Sequence, residues 1–254
     1  MNEEQNIQNE AFARSTALVG DAGMQRLSQA RVILFGVGGV GSWCAECLIR
    51  TGVQHLTIVD NDVVMPSNLN RQLMATRETL GQPKVEAMRQ RLLSINPQAD
   101  IVTRQEAYSP ETADSFRLDT YDFIIDAIDS LAEKAHLILQ ATQTQATFVS
   151  AMGAALKLDP TRVRVDEFWK AKGCPLARAL RNRFKRDKTF PARKFRCVYS
   201  DEPAPVQETS VLKGGGAWDH KKAQINGSLA QVVAVWGLTL ASLVVNACRE
   251  SAEN

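Results

Sequence analysis

The chain has 254 residues, 44% of them hydrophobic and 23% charged, which is material for one large α/β domain and excludes a disordered or collagen-like chain. The net charge is only +2, but 13 Lys or Arg against 3 Asp or Glu fall between Arg162 and Arg196, a local +10 that leaves the remainder at −8. Such a stretch points to a polyanionic partner.

The opening Met1-Asn-Glu-Glu-Gln-Asn6 is polar and acidic. It has neither the basic start and apolar stretch of a secretory signal nor the Arg-rich character of a transit peptide. Five cysteines are sparse and odd in number for a disulfide framework, so a reducing, cytoplasmic setting is expected. Arg31-Val-Ile-Leu-Phe35 reads as a buried strand, and 42–50 as a helix closed by Gly52, where a left-handed cap is cheap. Between them lies Gly36-Val-Gly-Gly-Val-Gly-Ser42. Glycines there let backbone N–H groups approach a phosphate, and the helix start attracts the anion. The next strand, 55–60, ends on Asp60, 19 residues after Gly41. A carboxylate at that distance can accept both ribose hydroxyls.

The glycine turn with Asp60 alone would suit NAD. Ser67-Asn-Leu-Asn-Arg-Gln72 then packs amides and Arg71 into one loop, and Gly81-Gln-Pro-Lys84 opens a helix running to Ile95, with Val85, Met88, Leu92 and Ile95 on one face. Strands follow near 100–103 and at 121–126, the latter ending in Asp126-Ala-Ile-Asp129-Ser130 with two carboxylates. A triphosphate with Mg²⁺ needs cations for its outer phosphates and a carboxylate for the metal, and a dinucleotide needs neither. Arg71, Lys84 and Asp129 at the carboxyl ends of neighbouring strands therefore favour ATP.

A helix over 130–142 and a strand over 147–151 complete the alternation of a doubly wound, mostly parallel Rossmann-like sheet. The period-two run from Leu156 to Asp166, broken at Asp159-Pro160, reads as a hairpin adding antiparallel strands, and 194–200 as one more strand. Pro175 to Arg186 reads as a helix with Leu176, Leu180 and Phe184 as its docking stripe, and Arg178, Arg181 and Lys185 on another face for phosphates. Residues 201–227, with Gly214-Gly-Gly216, read as a long loop. The nearly apolar helix over 228–247 approaches membrane-span length. Gln231, Gly237, Thr239 and Ser242 interrupt it, favouring a core or dimer helix over a membrane anchor. Cys44-x-x-Cys47 is the only such pair and cannot fill a tetrahedral zinc site, so both read as packing residues. Cys174, at a helix start in basic surroundings, is the best candidate for a reactive thiol. His55, His136 and His220 show no ligand spacing.

Together Arg14-x5-Gly20, the glycine turn, Asp60-Asn-Asp62, Ser67–Gln72, Gly81–Lys84, Ile95-Asn-Pro97 and Asp126–Asp129 resemble the ubiquitin-activating-enzyme-like adenylating superfamily over residues 10–150. The second half is most similar to the tRNA threonylcarbamoyladenosine dehydratases, through Cys174-Pro-Leu-Ala-Arg178, Cys197-Val-Tyr-Ser200, Glu202-Pro203 and Asn226-Gly-Ser228. The resemblance implies a single domain over 1–254, with a nucleotide-binding half at 10–150 and a tRNA and dimer half at 151–254. It implies ATP-dependent cyclisation of N6-threonylcarbamoyladenosine at tRNA position 37. Gly36, Gly38, Gly39 and Gly41 would line the nucleotide turn, with Asp60 on the ribose and Asp62 beside it. Asn70, Arg71, Gln72 and Lys84 would meet the phosphates, and Asp129 the Mg²⁺. Arg14 would reach into the partner's site in a homodimer. Arg178, Arg181, Arg183, Lys185 and Arg186 would hold tRNA, and a sulfur-carrier protein is a further implied partner. The alternatives are an adenylating enzyme for such a carrier and a non-catalytic nucleotide-sensing RNA-binding module.

Overall fold

The computed structural model describes residues 3–203 and 227–250. Among the described residues seven strands form one sheet in the order β3-β2-β1-β4-β5-β7-β6. They are β1 (Arg31–Phe35), β2 (His55–Val59), β3 (Asp100–Arg104), β4 (Phe123–Asp126), β5 (Thr147–Ala151), β6 (Val163–Glu167) and β7 (Arg196–Ser200). All neighbours are parallel except β6 against β7. β1 and β4 are almost wholly apolar because both faces of the central sheet are covered. Strand order reverses between β1 and β4, which opens a crevice at their carboxyl ends.

Helices α2 (Asp21–Gln29), α3 (Gly41–Thr51), α4 (Lys84–Ile95) and α7 (Ala230–Glu250) share one core with one face of the sheet. Helices α5 (Leu131–Ala141) and α6 (Pro175–Asp187) share the other. Helix α1 (Glu3–Val19) lies against α2 and α3. Neither α1 nor α2 is announced by apolar periodicity in the sequence.

Gly52 closes α3 at φ 114, its N–H donating to Ile49 O and Leu48 O. In α7, Gly237 answers a close approach: a Cβ there would lie 2.4 Å from Val40 O and 2.8 Å from Cys44 N. This glycine lets α7 press on the start of α3. Among the described residues α7 alone is long and apolar enough to cross a membrane, and half of that window is buried inside the protein.

The expected hairpin over 156–166 does not form. Pro160–Arg162 is a 3-10 turn and only 163–167 is a strand, whose antiparallel partner is β7. Residues 156–159 are instead held by the buried Glu202 carboxylate, which accepts the N–H groups of Leu158 and Asp159 at 3.0 and 3.1 Å. Most of the loop expected over 201–227 lies outside the described residues.

Candidate functional site

The glycine turn leaves β1 and enters α3 at the crevice, and its four glycines answer different demands. Gly36 sits at φ 88, where a Cβ would meet Ala127 O at 2.8 Å. A Cβ on Gly41 would fall 1.8 Å from Gly36 O, and one on Gly39 would meet Val233 of α7 at 3.3 Å. Only beside Gly38 is there space, with the Gln72 amide nitrogen the single neighbour, at 3.8 Å. Among the described residues the N-terminus of α3 has no side-chain cap, and its positive end faces the turn.

Asp60 follows β2 and braces this turn. Its Oδ2 accepts the Val37 N–H at 2.7 Å and its Oδ1 the Asp62 N–H at 2.9 Å. Burial pushes its pKa above the usual aspartate value of 3.8, against the pull of Lys84 and the two N–H groups. Lys84, at the start of α4, is buried and sets its Nζ 2.7 Å from Asp62 Oδ2.

Arg71 Nη1 donates to Ser67 O at 2.8 Å and Asn70 Oδ1 at 2.9 Å, while Asn70 Nδ2 donates to Ser228 O at 2.9 Å. Burial lowers the Arg71 pKa and the nearby Asp129 carboxylate opposes that shift. Gln72 is 6% exposed, and among the described residues its Oε1 has no hydrogen-bond partner. Trp43 Nε1 donates to Arg71 O at 3.2 Å and Ser42 Oγ accepts the Leu73 N–H at 3.2 Å, joining this loop to α3.

The two carboxylates at the end of β4 do not converge as expected. Asp129 is exposed at the crevice, but Asp126 is fully buried beneath it and paired with Lys134 of α5 at 2.7 Å. Ser150 Oγ donates to the same Asp126 oxygen at 2.6 Å. Lys134 and Ser150 are absent from the sequence candidates. A lysine among Ala135, Leu137 and Ile138, one turn after Asp129, is the signal that could have found the first.

Arg14 is not brought to this crevice within the chain. It is exposed on α1, whose Phe12 touches the Gly52 position at the far end of α3. That helix of 11 residues puts about 16 Å between its ends.

Helix α6 buries Ala177, Leu180 and Phe184, with Leu176 only half-buried. Its start touches Gly153, which follows the crevice end of β5. Beyond its end, Arg193 donates to Thr142 O and Ala146 O, ahead of the opposite end of β5. The helix therefore runs away from the crevice, Arg178 nearest it. Arg178 and Lys185 are exposed. Arg181 does not share their face: it donates to Phe168 O at 3.0 Å and lies over the Phe168 ring. Arg183 and Arg186 stand 3.6 and 2.7 Å from Asp187.

All five cysteines are free. Burial raises the pKa of Cys44 and Cys47, as befits packing residues. Cys174 caps α6, but only 2% of it is exposed. The docking of the α6 stripe covers it, and the expectation of a reactive thiol fails on access. Among the described residues no group of three His, Cys, Asp or Glu could hold a metal ion.

Two cations, an exposed carboxylate and a helix start thus surround one glycine turn, an arrangement that can hold and polarise a polyphosphate. A family model described as the ThiF family matches residues 12–253. The tRNA threonylcarbamoyladenosine dehydratase of Bacillus subtilis is 35% identical over 237 residues, covering 92% of each chain. The crystal structure of the Escherichia coli tRNA N6-threonylcarbamoyladenosine dehydratase in complex with ATP is similar with a TM-score of 0.83 at 30% identity, over 96% of each chain. Its complex with AMP gives 0.85 with the same identity and coverage.

Proposed function

The chain belongs to the ThiF family, and we propose from that membership that it is an ATP-dependent tRNA threonylcarbamoyladenosine dehydratase. The observation that carries this reading is the gathering of Arg71, Gln72, Lys84 and Asp129 around the glycine turn in a chain aligned along nine-tenths of its length with a relative of that name. Asp60 receives the ribose, and the open edge of Gly38 receives phosphate. Arg71, Asn70, Gln72 and Lys84 meet the outer phosphates, for which Lys84 exchanges part of its bond to Asp62.

The threonyl carboxylate is a poor electrophile because it is anionic and resonance-stabilised. Its oxygen attacks the α-phosphorus of ATP, the bond to the β-phosphate oxygen breaks, and pyrophosphate leaves. A nitrogen of the neighbouring ureido group then attacks the activated acyl carbon, loses its proton and expels AMP, closing a five-membered ring. The sum is loss of one water from the nucleoside. The chain's part is to hold the reactants in line and neutralise developing phosphate charge, so no covalent cysteine is needed. The donor chemistry at Asp129 fits Mg²⁺, which binds through one or two carboxylates and fills its shell with phosphate and water. When bound there it would neutralise phosphate charge.

Exposed Arg178 and Lys185 hold the tRNA backbone, with Arg183 and Arg186 beside them, in a cytoplasmic enzyme. In a homodimer Arg14 reaches the partner's crevice. Incubation of the protein with ATP, Mg²⁺ and tRNA bearing threonylcarbamoyladenosine, followed by mass spectrometry of the nucleosides, tests the reading. The expected result is loss of one water with AMP and pyrophosphate released; ADP, or no dehydrated nucleoside, would refute it.

A further inference from the structure

Asp126 and Lys134 have no solvent exposure at all, and their 2.7 Å pair lies directly under the crevice. Replacing such a pair by well-packed apolar side chains is often neutral or stabilising, so stability alone is a poor reason for it. Its hydrogen bonds supply a better one. Asp126 Oδ1 accepts the Ile128 N–H at 3.0 Å, and Lys134 Nζ donates to Ile128 O at 2.9 Å. The pair therefore holds both polar backbone groups of one residue. The residue before it, Ala127, donates its N–H to Phe35 O at 2.8 Å and turns its carbonyl onto Gly36. The residue after it is Asp129. Ser150 secures Asp126 from the neighbouring strand at 2.6 Å.

We infer that Lys134, acting through Asp126 with Ser150 behind it, is a positioning residue of the nucleotide site: it locks the peptide groups of Ala127 and Ile128 and so sets where the Asp129 carboxylate stands relative to Arg71 and the glycine turn. This inference rests on the reading of the crevice as an Mg·ATP site. Neither Lys134 nor Asp126 touches the ligand. Their influence falls on the part of the site that faces metal and outer phosphates, while Asp60 and the ribose end are held by other bonds.

The test is calorimetric titration of the full chain with Mg·ATP and, separately, with AMP. A residue that merely supported the fold would move both affinities together. Lys134→Met is expected to raise the Mg·ATP Kd about tenfold or more while AMP changes by less than about threefold, because a misplaced group costs most where charge is concentrated. Lys134→Arg, which keeps the charge and the donors, is expected to restore the Mg·ATP Kd to within about threefold of the parent. Should Lys134→Met fail to fold, Ser150→Ala carries the test: it leaves no unpaired charge and is expected to raise the Mg·ATP Kd alone, by about threefold. Equal changes for both nucleotides, or none in a folded variant, would overturn the inference and leave the nucleotide reading standing. A parent chain that binds neither nucleotide would overturn both.

Discussion

Arg71 meets several demands at once. Its guanidinium is fixed by Ser67 O and Asn70 Oδ1, is half withdrawn from water, and feels the Asp129 charge. A cation held this way is already oriented when a polyphosphate arrives, and preorganised charge is worth more than charge on a free side chain. Arg71→Ala is expected to lower the rate of AMP formation about 10²- to 10³-fold, with tRNA affinity unchanged, measured by pyrophosphate release and filter binding. Asp60 has the opposite problem. Burial raises its pKa, so on acidification it takes a proton at a higher pH than an ordinary aspartate, whose value is 3.8. AMP affinity is therefore expected to fall as pH drops, with a midpoint above 3.8. Stability runs the other way: the contribution of this group is fully present below its unfolded pKa and is lost as pH rises through the elevated folded one. Titration calorimetry and urea unfolding across the acidic range check the two signs. Asp60 and the glycines are legible in the sequence because their spacing is local. The burial of Gln72 is not, because it emerges only when the loop folds over the turn.

Secondary-structure elements divide by the same rule. β1, β2 and β4 are short apolar runs beside turn residues and can be read directly. α1 and α2 cannot, since their sequences are polar and their helices lean on contacts with α3 and α7. The misread hairpin has a similar cause. The alternation at 156–166 is real, but β6 pairs with a strand that follows only after α6, and Glu202 takes up the residues expected to pair locally. For α6, helical periodicity finds the docking stripe but cannot show that Phe168, outside the helix, claims Arg181. The double variant Arg178→Ala/Lys185→Ala is expected to weaken tRNA binding, and to flatten the slope of log K against log salt by about 1–2. Arg181→Ala should instead lower the melting temperature, since the Phe168 carbonyl loses its partner. Salt titrations of tRNA binding and thermal unfolding separate the two roles. An unchanged slope in the double variant would remove the helix from the tRNA surface.

At the scale of the molecule, the residues divided into a nucleotide half and a tRNA half share one sheet and are tied at several points. Asp126, Ser150, Cys197 and Asp166 stand in register across β4, β5, β7 and β6. The phosphate turn itself is completed by α7 and the residues leading into it: Val233 seats against Gly39, Ser228 O receives Asn70, and Gly237 admits the backbone of Val40. Gly237→Val would force a Cβ to 2.4 Å from Val40 O. It is expected to destabilise the protein by about 1–3 kcal/mol and to weaken AMP binding as well, read by thermal unfolding with and without nucleotide. A variant that melts early but keeps full AMP affinity would separate α7 from the site. Because α7 is the last described element of the chain and the floor under its phosphate cradle, order of synthesis gains a meaning. A nascent polypeptide has no finished cradle until that helix has emerged and packed against α3, so capture of ATP waits on the synthesis of α7.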